Sequence, residues 1–369
     1  MSSSKKTSKK PLLTIFFILI NILVIAITAF SEFGNRENAL KLSEIHIKWW
    51  LLIPATICFI IAISLEIYKY ILLLRRTCHF DQLPESKKIP KIARRTVLIG
   101  RYYDNITPAA IGGQPFQIYY MNKFNIPHGF ATIIPIIGMI SGQLGFLIIA
   151  SLTFLFGSLT INNATLIATA CFGLIFYAFG PITVMIATFL PKTTSEIITL
   201  SAKVLAKLHI IRDKNLTIKK AQYRASHYAS CIKTIFKIRW LFLQTIIFSV
   251  LFHLLVCSIP FFVLTAFGGH VDFLPCFVTT VAVTSAVYFI PTPGNAGVAE
   301  GAFYIVFSAL ASGYVFWAML TWRFFSYYIY IIMGAITYFF IHLDKENIKT
   351  DSWWKKFKNF FTKIFHPSS

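Results

Sequence analysis

Charge is scarcest where this sequence is most apolar. From Phe124 to Pro191 there is no Asp, Glu, Lys or Arg, and from Phe273 to Leu343 there are only two, Glu300 and Arg323. Acidic residues are few throughout, 14 against 35 Lys and Arg. Cysteines are dispersed: Cys58, Cys78, Cys171, Cys231, Cys257 and Cys276 form no CxxC pair, and His253, four residues before Cys257, has no third ligand nearby. A metal centre is therefore not expected, and the cysteines read as inert. There is no nucleophile elbow, no P-loop, no zinc spacing and no stretch composed like a soluble domain that would hold nucleotide or tRNA. No catalytic residue and no cofactor is expected.

What is present in excess is apolar. The 369 residues are 56% hydrophobic, include 37 Phe and have a mean hydropathy of +0.67, which a soluble domain could not bury. A membrane helix needs about 20 consecutive apolar residues, whereas a barrel strand needs about 10 that alternate. The long runs here are of the helical kind, so the fold class is an all-α polytopic membrane protein. Full spans are expected near 12–30, 50–74, 128–157, 164–190, 240–267 and 314–342. The first follows Lys5, Lys6, Lys9 and Lys10, but it is too long for a secretory signal and lacks a small-residue cleavage site.

A net charge of +21 would raise nucleic acid as a partner for a soluble protein. Here 28 of the 35 cations fall in four stretches: before Pro11, Arg75 to Arg95, Lys192 to Arg239, and after His342. Placing all four in the cytoplasm satisfies the positive-inside rule and puts both termini there, in the cell membrane. The expected partners of these faces are anionic inner-leaflet lipids rather than nucleic acid, each cation contributing about 1 kcal/mol near the surface. Residues 31–48 mix Glu and basic residues as an outer loop would. Residues 191–239 hold 11 Lys or Arg among Ile, Leu, Val and Tyr, as a basic amphipathic helix on the inner leaflet or a solvated loop does. The transmembrane domain is thus placed at 1–342. The basic and aromatic tail, 343–369, contains Trp353 and Trp354 and reads as an interfacial anchor.

Six crossings return the chain to its starting side only if 97–122 and 273–312 are each re-entrant, built from paired half-helices. Those two segments carry the Pro and Gly breaks, Asp104-Asn105-Ile106-Thr107-Pro108-Ala109-Ala110-Ile111-Gly112-Gly113-Gln114-Pro115 and Ile290-Pro291-Thr292-Pro293-Gly294-Asn295-Ala296-Gly297-Val298-Ala299-Glu300. Non-helical backbone at membrane depth persists only where protein or a wet cavity surrounds it. Two breaks, entering from opposite faces, imply one polar site and an inverted repeat of the transporter kind.

At that site Asn295 is the expected N-cap of a half-helix beginning near Ala296, and Pro115 suits the first turn of a helix entered through Gly112-Gly113. Free N–H groups at the two N-termini would receive an anion such as a lipid phosphate. Glu300 and Arg323 are expected to meet, either as a structural ion pair or as part of a headgroup site, because a charge at membrane depth costs roughly 2.5–3.5 kcal/mol. Arg101 and Asp104 share a helical face, either as a local ion pair or as contacts for a ligand. Glu66 and Lys69 have the same spacing and read as structural. His253 reads as a satisfied core histidine. Gln114, Gln117, Gln143 and Gln244 could line a path.

The segments ITPAAIGGQPFQIYYMNKFNIP, after Asp104 and Asn105, and YFIPTPGNAGVAEGAF, from Tyr288, resemble the flippase-type membrane domain of the lysylphosphatidylglycerol synthase/flippase family. The likeness runs from the first span to about His342. It implies a protein that moves an aminoacylated phospholipid such as lysylphosphatidylglycerol from inner to outer leaflet, lowering susceptibility to cationic antibiotics. Bifunctional members also carry a soluble aminoacyl-transferase domain, and only about 27 residues follow the last span here. Lysyl transfer by this chain alone is therefore not expected. The second function to weigh is the membrane half of a two-chain lysylphosphatidylglycerol synthase with a soluble partner. A homo-oligomer is open. The candidate substrate-binding residues are Arg101, Asp104, Thr107, Pro108, Gly112, Gly113, Gln114, Pro115, Pro293, Gly294, Asn295, Gly297, Glu300 and Arg323, with the phosphate at the half-helix N-termini and any cationic part of the headgroup at Asp104 and Glu300.

Overall fold

The computed structural model describes residues 46–77, 86–107, 110, 112–157, 164–207, 217–219, 222, 239–288, 290–309 and 315–343. The expected span at 12–30, most of the loop at 31–48, most of the basic segment at 208–238, the tail beyond Leu343, and Pro108 lie outside the described residues.

The described residues are helical, with no strand among them. They form α1 (Leu52–Thr77), α2 (Ile89–Ile106), α3 (Gly113–Lys123), α4 (His128–Gly157), α5 (Ala164–Phe189), α6 (Pro191–Lys207), α7 (Arg239–Ala266), α8 (Phe273–Val287), α9 (Val298–Ser308), α10 (Val315–Arg323) and α11 (Ile329–Leu343). A single turn of π-helix, Phe324–Tyr328, joins α10 to α11. Five stretches are long and apolar enough to cross a bilayer: Trp49–Arg76, Gly129–Gly157, Ala164–Ile186, Arg239–Ala266 and Val315–Ile341. They coincide with the five expected spans that fall within the described residues. The chain is a multi-pass membrane protein.

Both segments with Pro/Gly breaks are pairs of shorter helices. With a rise of about 1.5 Å per residue, the 11 residues of α3 and of α9 cover about half of a hydrocarbon core roughly 30 Å thick. The helix α2 is longer than a half-helix and starts at Ile89 rather than near residue 97. Its first two turns carry Lys91, Arg94 and Arg95; such a basic beginning belongs at the water interface, leaving only the part after Arg95 for the apolar layer.

Helix α1 packs along α7, α4 against α7, and α8 against α5. Small residues permit the close approaches. A Cβ at Gly145 of α4 would lie 2.7 Å from that of Ser249 on α7, and one at Gly173 of α5 would strike the carbonyl of Ser285 on α8. The largest apolar cluster joins Leu73 and Leu74 of α1, Ile133 and Ile137 of α4, and Val263 of α7. On the outward faces, Leu155, Phe156, Ile175 and Phe179 are exposed, as suits contact with lipid chains.

Candidate functional site

The two breaks meet. A Cβ on Gly294 would lie 3.1 Å from the carbonyl oxygen of Asn105 and would collide with the ring of Tyr327. Gly294 also takes a positive φ of 57°, a conformation that costs other L-residues about 1–2 kcal/mol. The expected cap is displaced by two residues: Asn295 sits in the short turn Pro293–Asn295 with φ 54°, and the N-cap of α9 is Gly297, φ 83°. Positive φ at Asn295 and Gly297, with an extended Ala296 (φ −63°, ψ 140°) between them, keeps the chain out of the helix until Val298.

Each half-helix N-terminus that the sequence offered to a phosphate holds one of the chain's own carboxylates. Gly113 N, in the first turn of α3, donates to Asp104 Oδ1 at 2.9 Å. Gly297 N donates to Glu300 Oε2 at 2.7 Å. Both arrangements place negative charge where the helix dipole is positive. The glycine at 113 is required by proximity rather than by φ, since a Cβ there would run into the Asp104 carboxylate. Thr107 reinforces the first turn, its hydroxyl donating to Tyr103 O at 2.6 Å and accepting from Gly112 N at 2.9 Å. Pro115 stands in the first turn of α3, as its fixed φ favours.

The other oxygen of Glu300 accepts from Arg323 Nε at 2.7 Å, with both side chains almost wholly buried. Arg323 also donates from Nη2 to Gly294 O at 3.3 Å and lies over the Tyr327 ring at 4.6 Å. The π-turn that begins directly after Arg323 brings Tyr327 into this position; such turns recur at functional sites.

An interior cavity of about 790 Å³ lies where the two broken pairs converge, bounded by Asp104, Asn105 and Gln114 from the first and by Tyr288, Gly294 and Asn295 from the second. Glu66, Arg101, Gln117, Gln143, His253 and Arg323 are among its other polar lining residues. Of the residues expected to bind substrate, Arg101, Asp104, Gln114, Gly294, Asn295 and Arg323 face this cavity. Thr107, Gly112, Gly113, Pro115, Pro293, Gly297 and Glu300 stand behind it, shaping the breaks.

Arg101 and Asp104 do not form the local pair their spacing allowed. Asp104 caps α3, and Arg101 turns to Glu66 at 3.8 Å, its guanidinium over the Phe252 ring at 4.9 Å. That ion pair is longer than a hydrogen bond, and Arg101 is 33% exposed, into the cavity, so guanidinium N–H groups remain for a ligand. Lys69 is different. At 1% exposed, it is bound to Glu66 at 2.9 Å, to Ser249 Oγ at 3.1 Å and to Gly138 O at 3.3 Å, which uses all three of its donors. The Glu66–Lys69 pair is thus structural, as its spacing indicated, but the sequence alone did not reveal that Glu66 also faces Arg101, 35 positions away. His253 Nε2 lies 3.1 Å from Gly142 O, a satisfied histidine that also borders the cavity. Gln244 does not line it.

The scan of family models matches residues 12–334 to the lysylphosphatidylglycerol synthase transmembrane region. The chain belongs to that family. The match includes both broken pairs and every residue of the site just described. No curated protein and no solved structure matches the chain.

Proposed function

We propose that this chain is a flippase-like lipid transporter of the cytoplasmic membrane, moving a phospholipid, of the aminoacyl-phosphatidylglycerol class named in the family description, between leaflets. The observation that carries this is the polar cavity within an otherwise apolar helix bundle, with a cation and a carboxylate one helical turn apart on its wall. Three carboxylates (Glu66, Asp104, Glu300) stand against three cations (Lys69, Arg101, Arg323) around it, so the site is neutral when all are ionised. Two of these pairs are closed upon themselves, Glu66 with Lys69 and Glu300 with Arg323.

Spare capacity is left on Arg101 and on the second oxygen of Asp104, residues three apart and thus about 5–6 Å from each other at Cβ. A phosphodiester at Arg101 and an ammonium at Asp104 would match both. The phosphate is accordingly proposed at Arg101, since the half-helix N-termini are already capped by carboxylates. Such a site lowers the cost of carrying a headgroup through hydrocarbon by replacing its hydration with fixed partners. Movement of one broken pair against the other, as an inverted repeat would allow, is the proposed means of exposing the site to each leaflet in turn.

The test is a leaflet-resolved lipid assay in cells with and without the protein, comparing wild type with Arg101→Gln and Asp104→Asn at matched expression. An inner-leaflet lipid reaching the outer leaflet only with wild type is the expected result. A change in total aminoacyl-lipid with unchanged distribution would favour a part in synthesis instead.

A further inference from the structure

Among the described residues, none closes one side of the cavity. Phe176 and Phe179 of α5 both border it, yet they are 58% and 71% exposed on the outside of the bundle. The helix has 26 residues, and these two stand at its middle, near half the depth of a bilayer that it spans. Beside them α4 and α5 meet at Gly180 with no side chain between: a Cβ at this position would lie 2.9 Å from the Gln143 side-chain nitrogen. The next residue, Pro181, lies inside the helix and has no N–H to offer the carbonyl of Tyr177, which loosens the same turn. The Gln143 carbonyl oxygen is buried without a hydrogen-bond partner, and Gln143 lines the cavity.

A polar chamber with an apolar rim at mid-depth has an obvious physical difficulty, because hydrocarbon cannot solvate the groups behind the rim. An amphiphile resolves it. We infer that the cavity opens sideways into the bilayer at the Gln143–Gly180 seam, and that a lipid crosses with its headgroup inside while its acyl chains leave between α4 and α5 past Phe176 and Phe179. The unpartnered Gln143 oxygen accepts a hydrogen bond from a headgroup hydroxyl or ammonium at this threshold. The inference deepens the proposed transport function and rests on it, but it makes a separate claim about where the chains run.

The experiment uses the full chain in vesicles of phosphatidylcholine and phosphatidylglycerol containing tail-labelled fluorescent phosphatidylglycerol and lysylphosphatidylglycerol. A Cys257→Ala, Gly180→Cys protein is folded and reconstituted first, then treated with pyrene maleimide, so that the mouth is obstructed only after assembly. Cys257→Ala alone, treated identically, is the control. Lipid movement should fall about tenfold, equivalent to roughly 1.4 kcal/mol on the barrier, with the control unaffected. In parallel, phosphatidylglycerol carrying a diazirine on its acyl chain should label Gln143 or Val283, which face inward. A protein that moves lipid at full rate after obstruction, with label only on outward residues such as Ile175 and Ile182, overturns the mouth and leaves transport standing. One that moves no lipid yet is labelled at Gln143 overturns transport and retains the mouth, and failure of both readouts overturns both.

Discussion

Glu300 and Arg323 meet at 2.7 Å although 23 positions separate them, and the same carboxylate holds the Gly297 N–H with its other oxygen, also at 2.7 Å. One side chain thereby ties the start of α9 to the end of α10 and sets the Pro293–Gly297 turn between its partners. Asp104 performs the corresponding act in the first broken pair through Gly113. These carboxylates keep the breaks ordered, and the cavity lies between them.

Removing one partner from the Glu300–Arg323 pair leaves a buried charge uncompensated, at about 3–5 kcal/mol. Glu300→Gln and Arg323→Gln should each lower the thermal midpoint in detergent markedly. The double variant Glu300→Gln, Arg323→Met, which has no charge to strand, should recover part of the loss. Additive losses in the double variant would show that the pair is not coupled.

Lys69 and Arg101 both approach Glu66, but their exposure predicts opposite phenotypes. Lys69→Met leaves Glu66 only its longer contact with Arg101, at 3.8 Å, and should destabilise by up to about 3–5 kcal/mol. Arg101→Gln should leave the thermal midpoint nearly unchanged, because Arg101 reaches into the cavity, while abolishing lipid movement. Thermal unfolding and the leaflet assay on the same two proteins separate the roles.

Seven residues apart, Gly294 and Gly301 should respond to alanine in opposite directions. Gly294 has a positive φ and Tyr327 against it, whereas a Cβ on Gly301 would meet nothing within 4 Å. Gly294→Ala should cost at least about 1–2 kcal/mol from backbone strain alone. Gly301→Ala, inside α9, should stabilise by up to about 1 kcal/mol. Equal midpoints for the two variants would contradict the geometry of this turn.

Asp104→Asn keeps an oxygen for the Gly113 N–H but removes the charge, and Asp104→Ala removes both. The alanine variant should lose about 1 kcal/mol of stability as a missing cap does, and the asparagine variant considerably less. Movement of a lipid bearing an ammonium should fail in both, whereas loss confined to Asp104→Ala would assign Asp104 to helix capping only.

Much of this was legible from residue order. Span positions followed from runs of about 20 apolar residues, and the two breaks from Pro and Gly inside such runs, because both signals are local. The Glu300–Arg323 contact could be anticipated for a different reason: two opposite charges that are the only Asp, Glu, Lys or Arg in 71 positions have little else to pair with. Asn295 as a cap was misplaced because capping preference names a residue type, while the position was decided by φ values of 54° at Asn295 and 83° at Gly297. The purpose of Gly113 was equally hidden, since it depends on a carboxylate nine positions earlier folding back on it.

Residue order alone places this chain in a membrane and locates its five described spans and two breaks, since hydropathy, charge and Pro/Gly placement act over a turn or two of chain. Helix packing was needed to show that Arg101 faces Glu66 rather than Asp104, that the half-helix N-termini are filled by the chain's own carboxylates, and that the cavity has a rim at mid-α5. Those outcomes depend on the rotation and depth of each helix against its neighbours, which are set by close packing at Gly145, Gly173 and Gly180 and not by any local pattern.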